Sequence, residues 1–178
     1  MGQGAVNLQL PAGALILLIG PSGSGKSTFA ARHFLPSEVL SSDAMRGMVA
    51  DDPNDQTATE AAFELLHAAL ALRLARGRLT VVDATNVERW ARERLLAVAR
   101  RHGRPASAIV LDLPLEVCLE RNAARRDRQV PAAAVRRQQA AMRASVGGLE
   151  GEGFELIWRF SSAEAVSGAT VERTVGKA

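Results

Sequence analysis

Eight consecutive residues, Gly20-Pro21-Ser22-Gly23-Ser24-Gly25-Lys26-Ser27, carry the densest chemistry of the chain. Three glycines within six positions let the backbone curl until successive N–H groups point inward at phosphate oxygens, and a helix opening at Lys26 adds its dipole. Lys26 brings a positive charge to the β- and γ-phosphates, and Thr28 follows as a further phosphate contact. The Ser27 hydroxyl is the expected ligand of Mg²⁺, a cation that prefers six oxygens and keeps several of its waters. The pattern Gly-x-x-x-x-Gly-Lys-Ser follows an apolar run and opens a helical one. In that context it binds a nucleoside triphosphate rather than making an ordinary glycine turn.

Three further groups bear on what happens to the triphosphate. Asp43, in Ser41-Ser42-Asp43-Ala44-Met45-Arg46, follows a short apolar run and should face the γ-phosphate. It can take the proton of an attacking hydroxyl, while Arg46, one turn on, holds an acceptor phosphate. The alternative is a Ser/Asp helix cap with a solvated arginine. Asp83 ends the run Val81-Val82-Asp83 and either holds metal-bound water or caps the next helix, with Thr85 and Asn86 shaping the loop. Arg121, Arg125, Arg126 and Arg128 crowd one segment. On a helix Arg121 and Arg125 share a face, where two guanidinium groups can neutralise the charge that builds up in phosphoryl transfer; the alternative is a solvated basic face.

The elements that must position these groups alternate. Apolar runs at 14–19, 38–41, 79–83, 108–111 and 155–160 read as strands buried on both faces. After Thr57 and Thr59, which can cap a helix, Phe63, Leu66, His67, Leu70 and Leu74 recur with helical spacing until Gly77. Residues 87–101 make another helix stopped by Gly103, and Pro114 opens a third. Each strand but the last precedes a helix. The pattern predicts an α/β fold, a P-loop NTPase kinase fold, with a central parallel sheet, helices on both faces and a mobile arginine-bearing lid over about 121–135. Ligands of such sheets bind beyond the strands' carboxyl ends.

One domain over residues 1–178 is expected, since 178 residues, 47% apolar, suffice for one core. Residues 5–10 read as an edge strand, and 161–178 as a polar tail that frays. A net charge of +3 brings no dominating basic field, so partner class must come from local features. The single cysteine, Cys118, excludes an internal disulfide and suits a reducing, cytoplasmic setting. The apolar run at 14–19 is too short to cross a bilayer, so no membrane association is expected. His33, His67 and His102 lack metal-ligand spacing, and Arg100, Arg101, Arg136 and Arg137 read as solvated.

Over nearly its whole length the chain resembles the 5′-hydroxyl polynucleotide kinase module of the bacterial end-healing and end-sealing RNA repair enzyme, Pnkp. Besides the phosphate loop, the likeness rests on Ser42-Asp43-x-x-Arg46, Asp51-Asp52-x-Asn54-Asp55-Gln56, Leu79-Thr-Val-Val-Asp-Ala-Thr-Asn86 and Arg121-Asn-x-x-Arg125-x-Asp-Arg128-Gln-Val. It implies transfer of the γ-phosphate of ATP or another NTP, with Mg²⁺, to the 5′-OH of RNA or DNA. By the same likeness Asp43 is the general base, Arg46 contacts the acceptor, Lys26 and Ser27 serve the phosphates and the metal, and Arg121 and Arg125 come from the lid. Gln56 falls in the acceptor-side loop, and Val130 is an aliphatic lid residue placed to cover the end base. Phosphatase and ligase-like modules are the partners the resemblance implies in a longer parent chain. A kinase for a small hydroxyl compound would share the loop, base and lid, and a nucleotide-dependent switch would share the loop alone. The chain has no tyrosine and few other aromatics, so acceptor contact is expected to be short rather than a run of stacked bases.

Overall fold

The computed structural model describes residues 6–174. Residue 5 of the expected edge strand and residues 175–178 of the expected tail lie outside the described residues. Strands β1 (Asn7–Leu10) and β7 (Thr170–Arg173) pair in parallel as a two-stranded sheet of their own. The other five strands, β2 (Leu15–Ile19), β3 (Val39–Ser41), β4 (Thr80–Asp83), β5 (Ala106–Leu111) and β6 (Leu156–Phe160), form one parallel sheet in the order β3-β4-β2-β5-β6. All five expected strands are present. The start of β5 was hidden because Ala106 and Ser107, both buried, carry too little apolar volume to register as a strand.

Alternation along β2 divides the core. Leu15, Leu17 and Ile19 pack with one layer of helices: α3 (Thr59–Ala75) through Leu66, Leu70 and Leu74, α4 (Arg89–Arg101) through Leu95 and Leu96, and α6 (Ala132–Ser145) through Met142. Ile16 and Leu18 point to the other face, against Phe29 and Ala30 of α1 (Lys26–His33) and against Leu8 and Leu10 of β1. Helices therefore cover both faces, as the unbroken apolar strands require. Each fully buried leucine contributes about 1.5–3 kcal/mol. The chain leaves β2 toward β3 and β4 on one side and reaches β5 and β6 on the other, which makes the carboxyl end of β2 the switch point where a ligand crevice forms.

Residues 7–10 form a strand, and it lies in the two-stranded sheet with β7, apart from the main sheet. Four expectations are corrected. Residues 161–174 do not fray: Ser162 caps α7 (Ala163–Gly168) by accepting from the Ala165 N–H at 3.1 Å, and β7 follows. The last strand of the main sheet thus also precedes a helix. Thr57 and Thr59 do not cap α3; a 3₁₀ turn over Gln56–Ala58, capped by Asp55, runs straight into that helix. The helix expected from residue 87 begins at Arg89, because Asn86 takes a left-handed conformation (φ 48°) that delays it. Gly103 (φ +59°) does follow its end.

Candidate active site

Between β2 and α1 the chain makes the phosphate loop. Gly23 and Gly25 have φ of +83° and +96°, and a Cβ on Gly23 would lie 2.1 Å from the Cys118 carbonyl oxygen, so a side chain is excluded on both counts. α1 starts without a side-chain cap and without an acid in its first turn, which leaves its N–H groups and dipole available to an anion. Lys26 is 8% exposed and donates from Nζ to the carbonyls of Gly20 and Pro21, each at 2.8 Å. Burial lowers its pKa to about 8, against the opposing charge of Asp83. Three loop amides are already engaged: the Ser22 N–H donates to Gln138 Oε1 of α6 at 2.8 Å, the Gly20 N–H to the Thr85 carbonyl at 3.0 Å and the Ser24 N–H to the Pro21 carbonyl at 3.2 Å.

Asp83 ends β4 in register with Leu18 of β2, which sets it beside the loop. Burial pushes its carboxyl pKa up, while hydrogen bonding from Ser27 and the Lys26 charge pull it back. Ser27 and Asp83 thus present hard oxygen donors next to one another, a set that suits Mg²⁺ bound partly through water. Beyond Asp83, the Asn86 side-chain amide donates to the Leu18 carbonyl at 2.8 Å and braces β2 against the following loop. Arg92, fully buried, forks onto both carboxylate oxygens of Glu152 (2.6 and 2.8 Å) and donates to the Asn86 and Val87 carbonyls at 3.0 Å. This pair ties α4 to the turn after α6 and fixes the loop that follows Asp83.

Asp43 lies in the first turn of α2 (Ser42–Ala50), at the carboxyl edge of β3. Ser41 makes the helix cap, accepting from the Ala44 N–H at 3.4 Å, so the Asp43 carboxylate is not spent on capping. One of its oxygens pairs with Arg46 and the other with Arg128. Arg46 is not solvated: it is 4% exposed and donates from Nε to the Pro53 carbonyl at 2.9 Å. Gln56 turns its amide onto the Asn54 carbonyl at 3.1 Å and lines the same cleft.

The arginine segment departs from the expected helix. α5 (Leu115–Ala124) ends with Arg121 in its last turn, and Arg125 is already extended (φ −69°, ψ 134°), so the two do not share a helical face. Both nevertheless line the cleft, and a Cβ on Gly25 would lie 3.4 Å from Arg121 Nη1. Arg125 pairs with Asp127 at 2.7 Å. The excursion is pinched shut by Asn122, whose side chain exchanges hydrogen bonds with the Val130 carbonyl and N–H at 2.7 and 3.0 Å. Val130 packs against the small cluster of Leu113, Cys118 and Val135 and does not line the cleft.

The cleft has a volume of about 710 Å³ and gathers Ser22, Gly23, Gly25, Lys26, Ser27, Thr28, Asp43, Arg46, Gln56, Asp83, Arg121 and Arg125. Gly20, Pro21 and Ser24 stand behind it as the loop's frame. Residues to which the sequence assigns no role in the site also line it: Thr59 and Phe63 of α3, Arg32 and His33 of α1, Gln138 of α6, Val166 of α7, and Arg128, until then only one member of the arginine cluster. Such an assembly can bind a triphosphate at the loop and set a carboxylate and two guanidinium groups against its outer phosphate.

Residues 15–147 match a protein family described as AAA domain. No curated protein matches the sequence. Among solved structures, a chain of the Pnkp1/Rnl/Hen1 RNA repair complex is similar over 79% of this chain (TM-score 0.66, 23% identity); this chain spans 47% of that one. A gluconokinase from Sinorhizobium meliloti 1021 is similar over 89% of this chain and 92% of its own (TM-score 0.53, 21% identity). The AvrRxo1-ORF1:AvrRxo1-ORF2 complex with ATP is similar over 88% of this chain and 56% of its own (TM-score 0.66, 16% identity). At these identities the likeness is one of fold, that of P-loop kinases.

Proposed function

The chain belongs to the AAA domain family, and on that footing we propose that it is a polynucleotide 5′-hydroxyl kinase, moving the γ-phosphate of ATP or another NTP to the 5′-OH of an RNA or DNA end. The observation that carries this reading is the placing of Asp43 between Arg46 and Arg128 in the cleft of the phosphate loop. A carboxylate suffices as base for any hydroxyl. Two guanidinium groups beside it suit an acceptor that brings its own anion, the phosphodiester next to the reacting end.

In this reading the acceptor O–H gives its proton to an Asp43 oxygen as its own oxygen bonds to the γ-phosphorus. The bond from that phosphorus to the β–γ bridging oxygen breaks, and a nucleoside diphosphate leaves. Lys26, the N–H groups of the loop and the start of α1 hold the phosphates in line, and Arg121 and Arg125 face the charge on the transferring group. Bound Mg²⁺ would be held by Ser27 and, through water, Asp83, and supplies neutralisation of the β- and γ-phosphate charge. The segment 121–135 acts as the lid that brings the arginines in. The product, a 5′-phosphate end, is what a ligase-like partner consumes, and a phosphatase would prepare the matching 3′ end.

The test is labelling from γ-labelled ATP and Mg²⁺ with two acceptors in parallel, a 5′-OH oligonucleotide and a panel of small hydroxyl compounds including sugars. Strong labelling of the oligonucleotide, lost in Asp43→Ala, is expected. Labelling confined to a small hydroxyl compound would replace the reading with that of a metabolite kinase, and hydrolysis with no labelled acceptor would replace it with a switch.

A further inference from the structure

The wall of the cleft that carries Arg128 has a second side. There the segment between α5 and α6 faces Asn54, in the loop after α2, across a hollow of about 500 Å³. Arg125, Asp127 and Arg128 line both spaces, so one short segment borders the hollow on one side and the cleft that holds Asp43 on the other. Arg126 lines the hollow alone; it is exposed and has no hydrogen-bond or ion-pair partner among the described residues. The one carboxylate of the hollow, Asp127, is answered by Arg125. Gln129 is not free to bind, because its amide donates to the Ala123 and Arg125 carbonyls at 3.1 Å and holds the segment in its bent course.

Resting on the polynucleotide reading, we infer that this hollow is the track of the acceptor strand: the phosphodiesters on the 3′ side of the reacting nucleotide leave the cleft between Asn54 and Arg126. The chemistry of the walls favours the backbone over the bases. No aromatic side chain lines the hollow, so there is no platform on which a base can stack. What it offers instead is an unpaired guanidinium and an amide, which grip phosphate and sugar oxygens irrespective of sequence. A strand held this way binds without base preference, and its affinity falls with salt. An acceptor of one or two nucleotides is held by Arg46 and Arg128 alone and does not reach Arg126.

The experiment compares Arg126→Glu and Asn54→Asp with the parent chain on two acceptors, a 5′-OH dinucleotide and a 5′-OH single strand of ten nucleotides. Both substitutions are at exposed positions, and each adds negative charge to one wall. For the longer acceptor KM should rise about tenfold, with the salt slope of its binding reduced by about one. KM for the dinucleotide and for ATP should stay within about twofold. If the parent chain labels both acceptors and neither variant distinguishes them, the track is wrong and the kinase reading stands. If the parent chain labels neither acceptor, both fall.

Discussion

Arg128 reaches Asp43 from 85 residues away in sequence, across the mouth of the cleft. Arg46, on the other carboxylate oxygen, is locked into the fold by Pro53, whereas Arg128 sits on a segment with no helix or strand of its own. In the proposed reaction Asp43 must free an oxygen to accept a proton, and of its two partners Arg128 is the one on a segment without helix or strand. The contact would then tie the segment 125–131 down until an acceptor binds. For an ion pair whose side chains are 20% and 32% exposed its worth is about 1 kcal/mol, which is about a fivefold change in opening. Arg128→Ala should accordingly speed exchange of the Arg125 and Val130 amides, both bonded to Asn122, about fivefold with the rest of the chain unchanged. Unaltered exchange there would dissolve the tether.

Asp43→Ala and Asp43→Asn should each lower phosphate transfer to a 5′-OH oligonucleotide by about 10²–10⁴-fold, the range of a lost general base. Nucleotide affinity, measured with a fluorescent ATP analogue, should remain within about twofold because the loop and Lys26 are untouched. A parallel loss of affinity would assign Asp43 to nucleotide binding instead.

Lys26 makes nucleotide binding sensitive to pH. Burial holds its pKa at about 8 in the free protein, and phosphate anions raise it on binding, so above pH 8 binding must take up a proton. Affinity should be level below pH 8 and then fall, by up to about tenfold per pH unit, until the raised pKa is passed. Titrations between about pH 6.5 and 9.5 test this. Lys26→Met should bind weakly and without that fall.

The Arg92–Glu152 pair is fully buried, with side chains 0% and 1% exposed. Glu152→Gln strands a buried guanidinium and should cost about 3–5 kcal/mol in urea unfolding. Replacing both partners by apolar residues, Arg92→Met with Glu152→Leu, should recover part of that loss, since no charge then remains buried. A double variant as unstable as the sum of its single variants would show that the two side chains act independently.

What the sequence made legible was local. The phosphate loop, the carboxylates at the ends of β3 and β4 and the strand-helix alternation each depend on residues within a few positions of one another. Contacts across the chain stayed hidden. Arg92 looks like one more surface arginine in a basic helix until Glu152 appears 60 residues on. Arg121 and Arg125 read as one helical face because nothing in their spacing reveals that Asn122 folds back on Val130 and ends the helix between them. The same fold-back turns Val130 into the Cys118 cluster and away from the cleft. α7 is six residues of mostly small side chains, too short for its periodicity to show.

The pairing of β1 with β7 joins residues as far as 163 positions apart, and it buries Leu8 and Leu10 completely. A contact between the two ends of the described chain closes the largest loop, so its entropy is recovered only after the central sheet has formed. Until then Ile16 and Leu18 lack the cover that β1 gives them. The exposed species is an almost complete sheet with one greasy face, and aggregation during refolding should track how quickly the first and last strands find each other.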